Sequence, residues 1–219
     1  MPILPVMFKI NEIYSTILGE SLYTGYPFII VRFTGCPLRC SWCDTQYAYY
    51  EGNDYSLAGV MDEIAKFKYF NILLTGGEPL AQNNLEKLID QLLQKKYQIV
   101  VETSGALPVS GLAEKVHLVM DYKLPSSGME NKMMLKQNLN YLKTSDEIKF
   151  PVADKKDFNR AIEIIEESKL LDKVKIAVSP VMGKIDFSAL AELILSSKMN
   201  IRLNLQIHKI IWPEISRGR

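Results

Sequence analysis

The chain has 219 residues, with 26 Lys and Arg against 25 Asp and Glu, a formal net charge of +1, and 47% apolar residues. That composition describes a folded globular chain and excludes disorder and collagen-like repeats, and the balanced charge argues against a nucleic-acid binder, which needs surplus Lys and Arg. No run approaches the roughly 18 consecutive apolar residues of a membrane span. Residues 1–9 lack the basic start and small-residue cleavage site of a secretory leader, so the cytoplasm is the expected compartment.

In chain order, an extended piece over Phe8–Tyr14 is followed by a strand at Phe28–Phe33 and a helix at Leu57–Lys68. A strand at Ile72–Thr75 leads into a helix at Asn84–Lys95, where Leu85, Leu88, Ile89, Leu92 and Leu93 make one apolar face. Strands at Gln98–Glu102 and Val116–Asp121 precede a weaker helical pattern at Asn131–Leu142. A strand at Glu147–Phe150 is followed by a helix at Lys155–Lys169, with Asp154 placed to cap its first turn. Val174–Val178, the helix Phe187–Ser197 and Ile201–Leu205 complete the set. Strands alternating with helices predict βα units around a mostly parallel sheet. No linker or repeat divides the chain, so a single domain over 1–219 is expected.

In parallel α/β folds chemistry gathers at the carboxyl ends of strands. Those positions are polar here: Thr34-Gly35-Cys36, Thr75-Gly76-Gly77-Glu78, Glu102-Thr103-Ser104-Gly105, Asp121-Tyr122-Lys123, Lys149, Ser179-Pro180, then Gln206 and His208. The three cysteines, an odd number, all fall on the first of these loops as Cys36, Cys40 and Cys43, so a disulfide framework is not their purpose. Three thiolates from one loop can converge on a soft metal centre. A structural zinc site needs a fourth ligand, and His117 and His208 lie far off in sequence. A 4Fe–4S cluster with three protein ligands leaves one iron open, able to chelate the amino and carboxylate groups of S-adenosylmethionine.

With Trp42 before the last cysteine and Gly76-Gly77-Glu78-Pro79 after the second strand, the sequence resembles the radical S-adenosylmethionine superfamily. Further stretches resemble the 7-carboxy-7-deazaguanine synthase family from about residue 9 to the C-terminus: Thr16-Ile17-Leu18-Gly19-Glu20-Ser21, Val31-Arg32-Phe33-Thr34-Gly35-Cys36, Cys43-Asp44-Thr45, Glu102-Thr103-Ser104-Gly105, and residues 205–214 followed by Arg217-Gly218. The resemblance implies a small, partial (β/α) barrel of six to seven mostly parallel strands. It implies a lyase that contracts the ring of 6-carboxy-5,6,7,8-tetrahydropterin with loss of ammonia, a step of queuosine and 7-deazapurine biosynthesis for tRNA modification. It further implies a 4Fe–4S cluster, S-adenosylmethionine, Mg2+, a homodimer and an external electron donor such as flavodoxin or ferredoxin.

Carried over by position, Cys36, Cys40 and Cys43 ligate the cluster and Thr45 the magnesium ion. Trp42, Gly76, Gly77, Glu78, Glu102, Ser104, Asp121, Tyr122, Lys123 and Gln206 surround the cofactor, although Asp121 and Tyr122 stand where the family commonly has Ser-Pro. Ile17, Leu18, Gly19, Glu20, Arg32, Thr75 and His208 surround the substrate, with Leu18 in place of a common Gln and Ser21 in place of a common Gly. A carboxylate at Glu20 suits the guanidine-like edge of a pterin, and a guanidinium at Arg32 suits a carboxylate. Tyr47, Tyr49, Tyr50 and Tyr55 are expected to cover the cluster, and Met129, Met133 and Met134 to serve packing or a dimer surface. Three other readings remain: a glycyl-radical-enzyme activase, a small iron–sulfur electron carrier and a zinc-binding structural module.

Overall fold

The computed structural model describes residues 6–215, 217 and 218. Residues 1–5, on which the reading of a leader-free start rests in part, lie outside the described residues. Nine strands form one sheet: β1 Met7–Ile17, β2 Pro27–Phe33, β3 Asn53–Ser56, β4 Asn71–Gly76, β5 Gln98–Thr103, β6 His117–Asp121, β7 Glu147–Val152, β8 Lys175–Pro180 and β9 Arg202–Leu203. Their order is β3-β1-β2-β4-β5-β6-β7-β8-β9, in which β2 and β4 to β9 run parallel and β1 and β3 form an antiparallel flank. All seven expected strands are present, and the extended piece at Phe8–Tyr14 has become the long hairpin strand β1. The polar β3 at one edge carries no apolar alternation to announce it.

The helices are α1 Leu57–Ala65, α2 Leu85–Gln94, α3 Leu135–Asn138, α4 Lys155–Glu167, α5 Phe187–Ser197 and α6 Ile207–Ile211. Asp154 does cap α4, its carboxylate accepting from the Asp157 amide at 2.9 Å, and Ser56 caps α1 through Gly59 N–H at 3.0 Å. The expected helix at Asn131–Leu142 is reduced to the single turn of α3 and a preceding 3-10 turn at Glu130–Lys132. Its fully buried Asn138 donates to the carbonyls of Gly105 and Leu107 and accepts from Val109 N–H, so it ties down a chain segment between β5 and β6 that has no α-helix. The strand expected at Ile201–Leu205 keeps only Arg202 and Leu203, because the chain turns into the unexpected α6.

Two apolar layers lie between sheet and helices. One joins Ile29, Val31, Ile72 and Leu74 to Val60 and Ile64 of α1 and Leu88, Ile89 and Leu92 of α2. The other joins Ile148, Phe150, Ile176 and Val178 to Phe158, Ala161 and Ile165 of α4 and Leu190 of α5. The opposite face curls inward: Leu22 N–H, in the β1–β2 hairpin, donates to Glu147 of β7 at 2.8 Å, and Ser21 N–H donates to Asn204 after β9 at 3.1 Å. The architecture is therefore a partial barrel whose two ends are joined by hydrogen bonds and not by a strand pairing.

Side chains alternate along a strand, and this period builds the interior in layers. Phe28, Ile30, Leu73, Val100 and Val119 form an inner apolar floor with Leu18. Two residues further along β2, β4, β5 and β6 stand Arg32, Thr75, Glu102 and Asp121, with Lys149 beside them on β7. The same pleat that makes the floor apolar thus makes the next layer charged.

Candidate active site

Above that floor opens a cavity of about 870 Å³. One wall is the loop after β2. The glycine pair after β4 presses against it: Gly77 N–H donates to Phe33 O at 3.0 Å and Glu78 N–H to Gly35 O at 2.8 Å. A Cβ on Gly76 would lie 2.3 Å from the Phe33 backbone and one on Gly77 2.1 Å from Gly35 O, so no side chain fits at either position. The far end of the loop sits on the turn Pro125–Ser127, where Ser41 and Trp42 donate to Ser126 at 2.7 and 3.1 Å. Ser126 is held in turn by the buried Asp157 in the first turn of α4.

Cys36, Cys40 and Cys43 are free thiols on this wall, and all three line the cavity. Among the described residues no three Cys, His, Asp or Glu side chains are grouped as a single metal ion needs. Thiolates of a polynuclear cluster each bind a different iron and stand further apart, so the donor set fits a cluster better than a zinc ion. Burial pushes the Cys40 thiol up to about 11, against the pull of Lys123, and raises Cys36 too. The Lys123 ammonium lies 5.0 Å from the centre of the Trp42 ring.

The charged layer centres on Lys149, whose side chain is 6% exposed. Its Nζ lies 2.6 Å from Glu102, 3.2 Å from Glu20 and 3.2 Å from Asp121. The second oxygen of Asp121 is 2.9 Å from Lys123 Nζ, within ion-pair reach though without hydrogen-bond alignment. Burial alone would neutralise Lys149, but Asp121, Glu102 and Glu20 override it and hold the ammonium well above its ordinary range. Burial likewise works against ionised Asp121, and Lys123 and Lys149 pull it below the carboxylate range. Glu102 goes the other way: its burial outweighs Lys149, and Glu20 and Asp121 add to the rise. Three carboxylates share two ammonium groups here, and Glu102 is where the surplus negative charge is least favoured.

Arg32 is fixed from β1, with Nε donating to Glu12 at 2.7 Å and Nη2 to the Tyr14 hydroxyl at 3.1 Å. Thr45 opens the 3-10 turn Gln46–Tyr49, and its hydroxyl lies 3.7 Å from Cys43 Sγ. His208, on α6, is pressed against Gly19, where a Cβ would come within 1.8 Å of Nδ1. Burial lowers its proton affinity, so the imidazole is neutral near pH 7.

Ile17, Leu18, Gly19, Glu20, Arg32, Trp42, Thr45, Thr75, Gly76, Gly77, Glu102, Ser104, Asp121, Lys123, Gln206 and His208 all line the same cavity as the cysteines. Glu78 and Tyr122 do not. Glu78 is fully buried, accepting from Thr103 Oγ1 at 2.7 Å, Ser104 N–H at 2.8 Å and Leu80 N–H at 3.1 Å, so its side chain joins the ends of β4 and β5 instead of facing a cofactor. Tyr122 follows the inward Asp121 and therefore points outward, against Phe150. The backbone of Leu18 is spent within the hairpin, on Tyr26 O and Gly25 N–H, so only its side chain is presented to the cavity. Tyr47 and Tyr49 border the cavity, whereas Tyr50 is 73% exposed and Tyr55 packs against the outer core. Met129 and Met133 pack on Arg39 N–H and Lys123 N–H beside the cluster loop.

Several participants carry no sequence signal of their own. Glu12 and Tyr14 owe their place to the antiparallel register Glu12↔Arg32. Lys209 reaches Asp44 at 2.5 Å through α6, and Asn204 meets Glu20 across the gap in the sheet. Lys149 was legible as a rim residue, and its inward parity with Glu102 and Asp121 is the signal for a larger role.

Residues 30–194 match the family model of the radical SAM superfamily. A 7-carboxy-7-deazaguanine synthase of Koribacter versatilis is 35% identical over 96% of this chain and 99% of its own length. Its namesake in Leptospira interrogans is 42% identical over 94% of this chain and 96% of its own. The crystal structure of QueE from Escherichia coli superposes with a TM-score of 0.76 at 25% identity, covering 91% of this chain and 94% of that one. The chain belongs to the 7-carboxy-7-deazaguanine synthase family of the radical SAM superfamily.

Proposed function

We infer that this chain converts 6-carboxy-5,6,7,8-tetrahydropterin into 7-carboxy-7-deazaguanine and ammonia. The observation that carries the reading is the sharing of one cavity by the three-thiol loop and the Glu20–Arg32 side. A cluster held by these thiols would thereby share the cavity with groups complementary to an amino-pyrimidine edge and a carboxylate. Superfamily membership implies a 4Fe–4S cluster and S-adenosylmethionine, which together supply a 5′-deoxyadenosyl radical for hydrogen abstraction from substrate.

Cys36, Cys40 and Cys43 would hold the cluster. Lys123, steered by Asp121 and the Trp42 face, is placed to pair with the cofactor carboxylate. Gly76 and Gly77 leave the backbone bare next to the cysteine loop, and Ser104 is oriented by Glu78. Arg32, anchored through Nε and Nη2, keeps Nη1 for the substrate carboxylate. Thr45 offers one hydroxyl on the cavity wall, which suits magnesium, an ion that keeps several waters and takes few protein ligands. Glu20 reads the guanidine-like edge, Leu18 supplies apolar floor beneath the ring, and Thr75 and the neutral His208 flank it. Lys149 holds Glu20, Glu102 and Asp121 in place by ion pairs.

The continuity of the sheet supports reading residues 1–219 as one domain. A homodimer, an external reductant such as flavodoxin or ferredoxin, and a cytoplasmic location belong to the same reading. The test is anaerobic reconstitution, then incubation with reductant, S-adenosylmethionine and 6-carboxytetrahydropterin, following 5′-deoxyadenosine and the deazapurine. Formation of both supports the reading. 5′-Deoxyadenosine without the deazapurine would sink the substrate and leave the superfamily standing.

A further inference from the structure

We propose that Asn204 is a positioning residue for substrate recognition, setting the plane of the Glu20 carboxylate. The inference rests on the functional reading above, in which Glu20 receives the guanidine-like edge of the pterin.

Asn204 directly follows β9, and its backbone N–H still donates to Val178 O at 2.9 Å. With the strand period of two, Arg202, Asn204 and Gln206 fall on the inward side in succession. Asn204 is 1% exposed. Its Oδ1 accepts from Ser21 N–H at 3.1 Å and from Arg202 Nη1 at 2.7 Å. An amide oxygen only accepts and its NH2 only donates, so these two donors decide which way the side chain is turned. Nδ2 is thereby aimed at Glu20 Oε1, 3.1 Å away. Gln206 Nε2 donates to the other oxygen, Oε2, at 3.2 Å. Each oxygen of Glu20 thus receives one amide donor. Arg202 is itself gripped by Glu147, which is 1% exposed and also accepts from His117 at 3.0 Å. A chain of part-buried contacts therefore runs from Glu147 of β7 through Arg202 and Asn204 to Glu20. Lys149 and the Ser179 hydroxyl also approach Oε1, so Oε2 is the less crowded oxygen toward a ligand.

The discriminating variant is Asn204→Asp. It keeps shape and both acceptor contacts, to Ser21 and Arg202, but removes the donor that Glu20 and the Ser179 hydroxyl share and sets two carboxylates together. The charged groups around that position are Glu20 and Arg202, with Glu147 behind Arg202, and Lys149, Glu102 and His208 around Glu20. The dissociation constant of 6-carboxytetrahydropterin is measured by calorimetry on reconstituted enzyme with S-adenosylmethionine and no reductant, at about pH 8 and about pH 6, with kcat and KM in parallel. At the higher pH, binding weakens about tenfold and KM rises with it, while kcat changes by less than about threefold. At the lower pH most of the loss is recovered, because a proton shared between the two carboxylates restores a donor. Arg202→Lys, which loses the hold on Asn204 but keeps the charge, weakens binding about threefold. Wild-type affinity in both variants overturns the proposal, as does an equal loss at both pH values, which marks packing alone. Failure of the wild type to bind the pterin instead overturns the functional reading, before any substitution is compared.

Discussion

Glu12 and Arg32 face each other across β1 and β2, with Glu12 Oε1 2.7 Å from Arg32 Nε and both side chains less than one-fifth exposed. Tyr14 and Tyr47 complete the enclosure, Tyr14 accepting from Arg32 and Tyr47 donating to Glu12. The guanidinium is held on one edge and open on the other. Glu12→Gln keeps the shape and weakens the anchor, so KM for the pterin is expected to rise about tenfold with a smaller change in kcat. Steady-state kinetics at saturating S-adenosylmethionine check it, and an unchanged KM removes Arg32 from substrate recognition.

Lys149→Met leaves Glu20, Glu102 and Asp121 with Lys123 as their remaining close ammonium partner. Breaking a buried ion network by removing one partner costs about 3–5 kcal/mol. The size should depend on pH in a definite sense. Without Lys149 the ionised form of Glu102 loses its chief opposing charge, and burial already raises its proton affinity. A carboxyl raised in the folded state penalises folding above that value, and the penalty lifts as pH falls. Denaturant unfolding at about pH 7.5 and about pH 5 is therefore expected to show a smaller deficit at the lower pH; equal deficits would mean that lost packing dominates.

The wild type has the opposite acid limb. Asp121 is pulled below the carboxylate range by Lys123 and Lys149 against its burial, so the stability it contributes is complete above about pH 4 and lost as pH falls through its folded-state value. Lys149, raised, contributes fully below about pH 10 and loses its contribution only as pH rises through its folded-state value. Asp121→Asn should flatten the acid limb of a melting-temperature profile and, because Asp121 is also the chief group raising Lys149, bring the alkaline loss to lower pH. An unaltered acid limb would assign that loss to other carboxylates.

Glu78→Ala removes the acceptor shared by Thr103, Ser104 and Leu80, leaving buried donors unpaired at a cost of about 1–3 kcal/mol. The loss should appear in unfolding experiments on protein without cluster as well as with it. A variant that is as stable as wild type but fails to bind S-adenosylmethionine would return Glu78 to the cofactor.

Cys40→Ala should abolish the iron–sulfur absorbance of reconstituted protein and with it all 5′-deoxyadenosine formation. Thr45→Val should keep both and lose the stimulation by magnesium, since an isosteric methyl cannot ligate a hard cation. Stimulation that persists removes Thr45 from the metal site.

The parallel strands and the rim they end on were readable because each strand is a short apolar run closed by polar residues. The cysteine spacing and the Gly-Gly-Glu-Pro run pointed to one loop face, and the cavity joins them. Glu78 was misplaced because a motif names neighbours in sequence, while side-chain direction is set by the strand ends it bridges. Tyr122 could have been placed by parity, since Asp121 before it looks inward. The β3 edge and the helix α6 carry no apolar period long enough to stand out, and the pattern at Asn131–Leu142 reads as a longer helix than the single turn of α3 that forms. Contacts such as Glu12 to Arg32 and Asn204 to Glu20 depend on register and curl, which are properties of the assembled sheet.

A closed barrel has its circumference dictated by strand number and hydrogen-bond stagger. The β1–β2 hairpin is joined to the other end of the sheet by contacts that include Leu22 N–H to Glu147 of β7, Ser21 N–H to Asn204 after β9 and Ile207 N–H of α6 to Gly19 O. Two of these three contacts end on a side chain, so the girth at that seam depends on side-chain length as well as on strand register.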